Sequence, residues 1–140
     1  MSKIKIKKLS ALLDSWEQDN NGTKKAFLEF YDLLVSKDAF NLSFKSRPGV
    51  SHSLRASVKK KGEKDRVLTL IDIIDDDPEN RWLSICFYAE NITDPREEGD
   101  IIPGGLLGED GYCFDLFDED NDMITYLKDR MNEAYHYNKK

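Results

Sequence analysis

The run VLTLIDII, residues 67–74, limits what this chain can become. It is apolar on both faces and rich in β-branched side chains, so it reads as an interior strand that needs partners on both sides. WLSICFYA, residues 82–89, is a second strand of the same kind, and the DDDPEN cluster between them is a turn. Strands joined by so short a connection pair antiparallel.

The sequence before this run changes period once. Leu9, Leu12, Leu13 and Trp16 follow the spacing of one helical face and predict a helix over 7–19. Asn20-Asn21-Gly22 ends it and Thr23 caps the next, predicted over 24–37 on Phe27, Phe30, Tyr31 and Leu34. From Phe40 the period becomes two. Leu42 and Phe44 alternate with polar neighbours, Arg47-Pro48-Gly49 is a turn, and Val50, His52, Leu54, Ala56 and Val58 share one strand face. Ser51, Ser53, Arg55 and Ser57 take the other face, and Lys61-Gly62-Glu63 makes the next turn.

Beyond the second apolar strand, residues 91–111 show no clear period. A loop of that length in a compact domain is uncommon and often functional. Tyr112-Cys113-Phe114 offers a short fifth strand, and Ile124, Leu127, Met131, Ala134 and Tyr135 predict a closing helix over 120–137. The expectation is a single α+β domain over 1–140. It has two N-terminal helices, a four- to five-stranded antiparallel meander sheet, a long loop and a C-terminal helix, with helices on one face of the sheet.

Charge is unevenly spread. Residues 1–66 carry 15 Lys and Arg against 8 Asp and Glu, whereas residues 67–140 carry 6 against 19. Residues 97–122 hold ten acidic side chains and no basic one. Such polarity marks either a surface with an electrostatic preference or two halves that attract each other, and the second reading is preferred. No apolar run approaches the roughly 18 residues of a membrane span. The basic, then apolar, N-terminus is interrupted by Asp14 and Glu17, so it reads as mature, cytoplasmic protein rather than a signal peptide. Cys86 and Cys113 form no framework on their own and read as buried thiols.

Several chemical signatures fall short. Asp118, Asp120 and Asp122 occupy the first three ligand positions of a calcium loop, but Met123 stands where that loop needs Gly and Asp129 where it needs Glu. An acidic helix start is the better reading. Residues 17–22 have a suitable Gly22 but Leu28 at the closing position, and read as a helix-ending turn. Pro103 to Gly108 is followed by Glu109 and Asp110, which would repel phosphate. Cys86, Cys113, His52 and His136 lack the short spacing of structural zinc sites. Ser51, His52 and Ser53 are adjacent and so face opposite ways on a strand. The basic turn Lys59 to Lys61, with Lys64 and Arg66, reads as a solvated hairpin tip. The acidic composition of the whole argues against nucleic acid.

What remains is a polar strand face: Arg47, Ser51, Ser53 and Arg55. These are the candidate binding residues, facing either an anionic partner or the acidic 97–122 segment of the same chain. No catalytic or metal-ligating set and no cofactor is assigned. The leading expectation is a non-enzymatic binding or interaction protein, with a protein partner or a homodimer as its company and no membrane. The alternatives are a small enzyme with a site under the 91–111 loop, using Asp and Glu with His52 or an Arg, and a divalent-cation site built from Asp75–Asp77 with Asp118–Asp122.

Overall fold

The computed structural model describes residues 6–37, 40–58 and 66–139. Helix α1 (Lys7–Ser15) buries Leu9 and Leu13, with Trp16 buried just beyond its end. It stops earlier than its spacing suggests because Trp16 leaves the helical region, with ψ at 75°. Helix α2 (Thr23–Val35) buries Ala26, Phe27, Phe30, Tyr31 and Leu34. Its cap is not Thr23. The Asp19 carboxylate accepts from the backbone N–H of Lys24 (2.9 Å) and of Lys25 (3.1 Å), which satisfies two of the free donors of the first turn. Thr23 instead donates 2.7 Å across to the carbonyl of Arg81.

Six strands form one sheet: β1 (Phe40–Arg47), β2 (Ser51–Val58), β3 (Arg66–Ile74), β4 (Trp82–Tyr88), β5 (Asp100–Leu106) and β6 (Glu109–Leu116). Every neighbouring pair is antiparallel, in the order β1-β2-β3-β4-β6-β5. The class is α+β, with one strand more than expected and a departure from a pure meander. The last hairpin is reversed, so β6 lies on β4 and β5 becomes an edge. The side chains account for this order. β6 supplies Phe114 and Leu116 to the core. β5 is exposed and carries Pro103, which has no N–H for an interior ladder.

Helix α3 (Asn121–Lys139) follows β6. Its Ile124, Leu127, Met131 and Ala134 join the buried residues of α1 and α2 over one face of the sheet. That face contributes Leu54, Ala56, Ile71, Ile73, Leu83, Ile85, Phe87, Phe114 and Leu116. A bulge between Ala56 and Ser57 lets β3 present Leu68 to the same core.

The cysteines correct the sequence reading. The reversed hairpin sets Cys113 directly opposite Cys86, with 4.1 Å between their Cα atoms, and the two form a disulfide on the far face of the sheet. They are 27 residues apart, and only the strand order brings them together. Closing a loop of that length is worth about 3.5 kcal/mol by chain entropy. Dithiothreitol should therefore lower the Tm by more than about 5 °C. An unchanged Tm on full reduction would contradict the bridge's contribution.

The segment that showed no period is also resolved into parts. Residues 89–91 make one 3₁₀ turn, residues 92–99 form a short loop, and the remainder is the β5–β6 hairpin. Asp94 organises the loop, accepting from the N–H of Glu98 (3.0 Å) and Gly99 (2.9 Å) and from the hydroxyl of Tyr126 on α3. Gly99 lies on the buried Phe114 ring, where an added Cβ would come within 2.7 Å. Gly99→Ala should cost about 1–3 kcal/mol by overpacking, seen as a lower urea midpoint with unchanged slope.

Candidate functional site: the bare face of the sheet

All three helices pack on one face of the sheet, and the other face carries none of them. The strand register sorts the residues of this bare face into rows. One row runs Arg47, Ser51, Ile74, Trp82, and continues to Phe117 beyond the end of β6, whose ring lies 4.8 Å from Trp82. The next runs Lys45, Ser53, Asp72, Ser84, Asp115. A third runs Ser43, Arg55, Leu70, Cys86, Cys113, Asp100.

The four candidate residues are therefore on one surface, as the alternation of β2 implied. Their settings differ. Arg47 is exposed and donates to the hydroxyl of Ser51 at 3.2 Å. Ser51 is buried beneath it. Ser53 donates to Asp72 across the β2–β3 ladder. Arg55 is half-buried, and its Nε is shielded from water without a hydrogen-bond partner. Among the described residues neither arginine forms an ion pair.

The acidic 97–122 segment finds other partners. Glu119 pairs with Lys25 at 2.7 Å, and Asp122 with Arg96 at 3.0 Å. The attraction between halves thus runs through Lys25 on α2, the acidic half also pairs within itself through Arg96, and neither contact uses the two arginines. Asp115 stays on the bare face, where burial and the nearby Asp100 raise its carboxyl above the usual range. The face is consequently dipolar, with Lys45, Arg47 and Arg55 at one end and Asp100 and Asp115 at the other.

Sequence reasoning missed the Trp82–Phe117 pair. Trp82 reads as one residue of an apolar strand, and Phe117 lies outside any periodic pattern. Phe117 is 58% exposed, and the same face also carries a small apolar cluster of Cys86, Tyr88 and Leu106 with Val67, Leu70 and Cys113 packed against it. The basic residues 59–65 at the β2–β3 connection lie outside the described residues.

The aspartates of the opening acidic cluster of α3 act locally. Asp120 caps the helix, accepting from the N–H of Met123 at 3.1 Å. Asp77 accepts from Glu79 and Asn80 within its own turn, at 3.1 and 2.9 Å. Asp75 belongs to a buried node on the helix side. Its carboxylate accepts from Arg81 Nε at 2.7 Å and bonds His52 Nε2 at 2.8 Å, and His52 Nδ1 meets Ser46 Oγ at 2.9 Å. The Ser46–His52–Asp75 line has the connectivity of a hydrolytic relay. However, His52 is buried, and Ser46 sits in a regular strand. The arrangement ties β1 and β2 to the turn between β3 and β4.

No family model, no curated protein and no solved structure matches this chain.

Burial would raise the Asp75 carboxyl, but hydrogen bonds from Arg81 and His52 outweigh it and hold the group below the usual range. A carboxylate depressed in the folded state contributes stability that is present above its unfolded value, near pH 4, and lost as pH falls through the folded value. Asp94 and Asp77 are depressed too and share this window. Asp75→Asn should therefore weaken the acid-side loss of stability without removing it. At pH 7 the variant should be destabilised by about 3–5 kcal/mol, because Arg81 and His52 lose a buried partner. Urea midpoints at pH 7 and pH 3 measure both effects.

Proposed function

We propose that this protein is a binding domain and that the bare sheet face is its docking surface. The observation that carries the reading is the one-sided architecture. Three helices close one face, while the other presents the half-buried Trp82 with exposed Phe117 and, across the same face, arginines that lack carboxylate partners among the described residues. Trp, Tyr and Arg dominate the energetics of protein interfaces, and depleted acidic pairing around Arg47 and Arg55 leaves donors for a partner to satisfy. The partner is a protein. It presents carboxylates over the Lys45, Arg47 and Arg55 end and an apolar side chain against Trp82 and Phe117. An arginine half-buried beside such a carboxylate forms a stronger, more directional bond than one in open water.

Against an enzyme stand the enclosed His52–Asp75 pair and the division of residues 91–111 into a knotted loop and a hairpin. A cation site across Asp75–Asp77 and Asp118–Asp122 is disfavoured because Asp75, Asp77, Asp120 and Asp122 each hold a local partner.

A photo-crosslinking residue at Ser84, in the middle of the bare face, tests this in the cells that make the protein. The expected result is one discrete adduct of a second protein, absent when the crosslinker replaces exposed Glu17 on the helix side. Adding Arg55→Glu should reduce the adduct at least about tenfold, the equivalent of one lost charge-assisted contact. An adduct of twice the chain mass would make the occupant a second copy. The absence of any discrete adduct would end the docking proposal.

A further inference from the structure

The rows of the bare face give each of its side chains a strand and a height. The basic residues Lys45, Arg47 and Arg55 stand on β1 and β2, and the acidic residues Asp115 and Asp100 stand on β6 and β5. Between them, on β3 and β4, lie Ile74, Trp82, Leu70 and Cys86. Lys45, Arg47, Asp100 and Asp115 are exposed, and Arg55 is half-buried. Nε is the only nitrogen of Arg55 that is both enclosed and unpartnered, which leaves the terminal nitrogens of its fork as contact atoms. Among the described residues none of these charged groups forms an ion pair.

Two copies can pack bare face to bare face about a two-fold axis in two aligned ways. An axis across the strands sets every strand on itself. The basic β1 and β2 then face each other, as do the acidic β6 and β5, and opposed like charges are destabilising. An axis along the strands, between β3 and β4, reverses the strand order instead. It sets β1 over β5, β2 over β6 and β3 over β4 of the second copy, with each row over itself. Ile74 then meets Trp82, Leu70 meets Cys86, and Asp72 meets Ser84. Arg55 lies over Cys113 of the second copy, one strand from its Asp100 and one row from its Asp115. Lys45 lies one row from the same Asp100. Every contact occurs twice, as an isologous interface requires.

Given that the bare face is a docking surface, the reading on which this rests, we infer that its occupant is a second copy of this chain, packed about a two-fold axis parallel to the strands. Sheets packed face to face lie about 10 Å apart with their strands within about 30° of each other, so a long arginine side chain bridges the gap to a facing or diagonal carboxylate. Apolar positions cover apolar positions along the axis, and opposite charges meet on both sides of it. One symmetry operator satisfies both patterns, which fixes the register as well as the partner. The area is sufficient. Six strands at about 4.8 Å spacing and about 3.3 Å per residue project roughly 600–700 Å², close to the ~800 Å² per partner of a stable complex.

Sedimentation velocity of the purified full chain over a concentration series reads the association directly, and the expected result is a monomer–dimer equilibrium. Arg55→Glu sets a carboxylate against Asp100 and Asp115, and Asp115→Arg sets a guanidinium against Arg55. Each variant alone should therefore raise the dissociation constant at least about tenfold. An equimolar mixture of the two should dimerise as the parent does, because both of its 55–115 contacts then join a carboxylate to a guanidinium. If Arg55→Glu does not fold, Lys45→Glu mixed with Asp100→Lys, both at exposed positions, serves in the same way. A parent chain that stays monomeric to about 1 mM, variants that dimerise as the parent does, or a mixture that stays monomeric would each overturn the assignment. The crosslinker at Ser84 keeps the two readings apart. A monomeric chain with an adduct to a different protein removes the second copy and leaves the docking face, whereas no adduct removes both.

Discussion

The Asp75 carboxylate holds the layers of this protein together. One oxygen meets His52 on β2, and the other meets Arg81 at the entry to β4. His52 reaches on to Ser46 of β1. The Arg81 guanidinium lies 5.4 Å over the Trp16 ring at the end of α1, and its backbone carbonyl accepts from Thr23 and Asn21 at the start of α2. A single buried charge therefore joins three strands to the junction of the first two helices. Dispersion and apolar burial supply most of the driving force for the layer contact. This polar node fixes where along the sheet the helices sit, since a shifted helix pair would strand buried donors.

A second polar knot plays the same part at the opposite end of the chain. Tyr126 on α3 donates to Asp94, accepts from the Arg96 N–H at 3.2 Å, and carries the guanidiniums of Arg96 and Arg130 at 4.5 Å from its ring. Burial and the Asp94 hydrogen bond both raise its hydroxyl above the usual tyrosine value, so the phenol stays a donor at neutral pH. This knot docks the 92–99 loop onto α3 and thereby walls the cleft that holds Asn91. With all helices committed to one side, the opposite side of the sheet is left to the disulfide, the aromatic pair and the dipolar rows.

Much of the framework was legible in the residues. VLTLIDII had to be interior because both of its faces are apolar, and it is the third of six strands. The i, i+3, i+4 spacing placed all three helices. The alternation in β2 placed Ser51, Ser53 and Arg55 on a common face, because the strand period is a local property. Met123 in place of glycine correctly pointed to a helix start at Asp118–Asp122. Residues 91–111 stayed opaque because their order comes from distant partners: Tyr126 for Asp94, and Phe114 for Gly99. Local pattern carries no trace of either.

The sequence by itself determined the three helices and the first four strands, the inward and outward faces of β1 and β2, and the segregation of charge, since all three depend on neighbours within a few residues. Only the tertiary structure decided the strand order. Placing β6 beside β4 set Cys113 against Cys86 and extended the Trp82 row to Phe117. Only the tertiary structure, likewise, gathered Asn91, Arg130 and Asn132 around one cleft. Both outcomes rest on contacts between residues roughly 30 to 40 positions apart, a separation that chain entropy penalises only weakly and that no periodicity encodes.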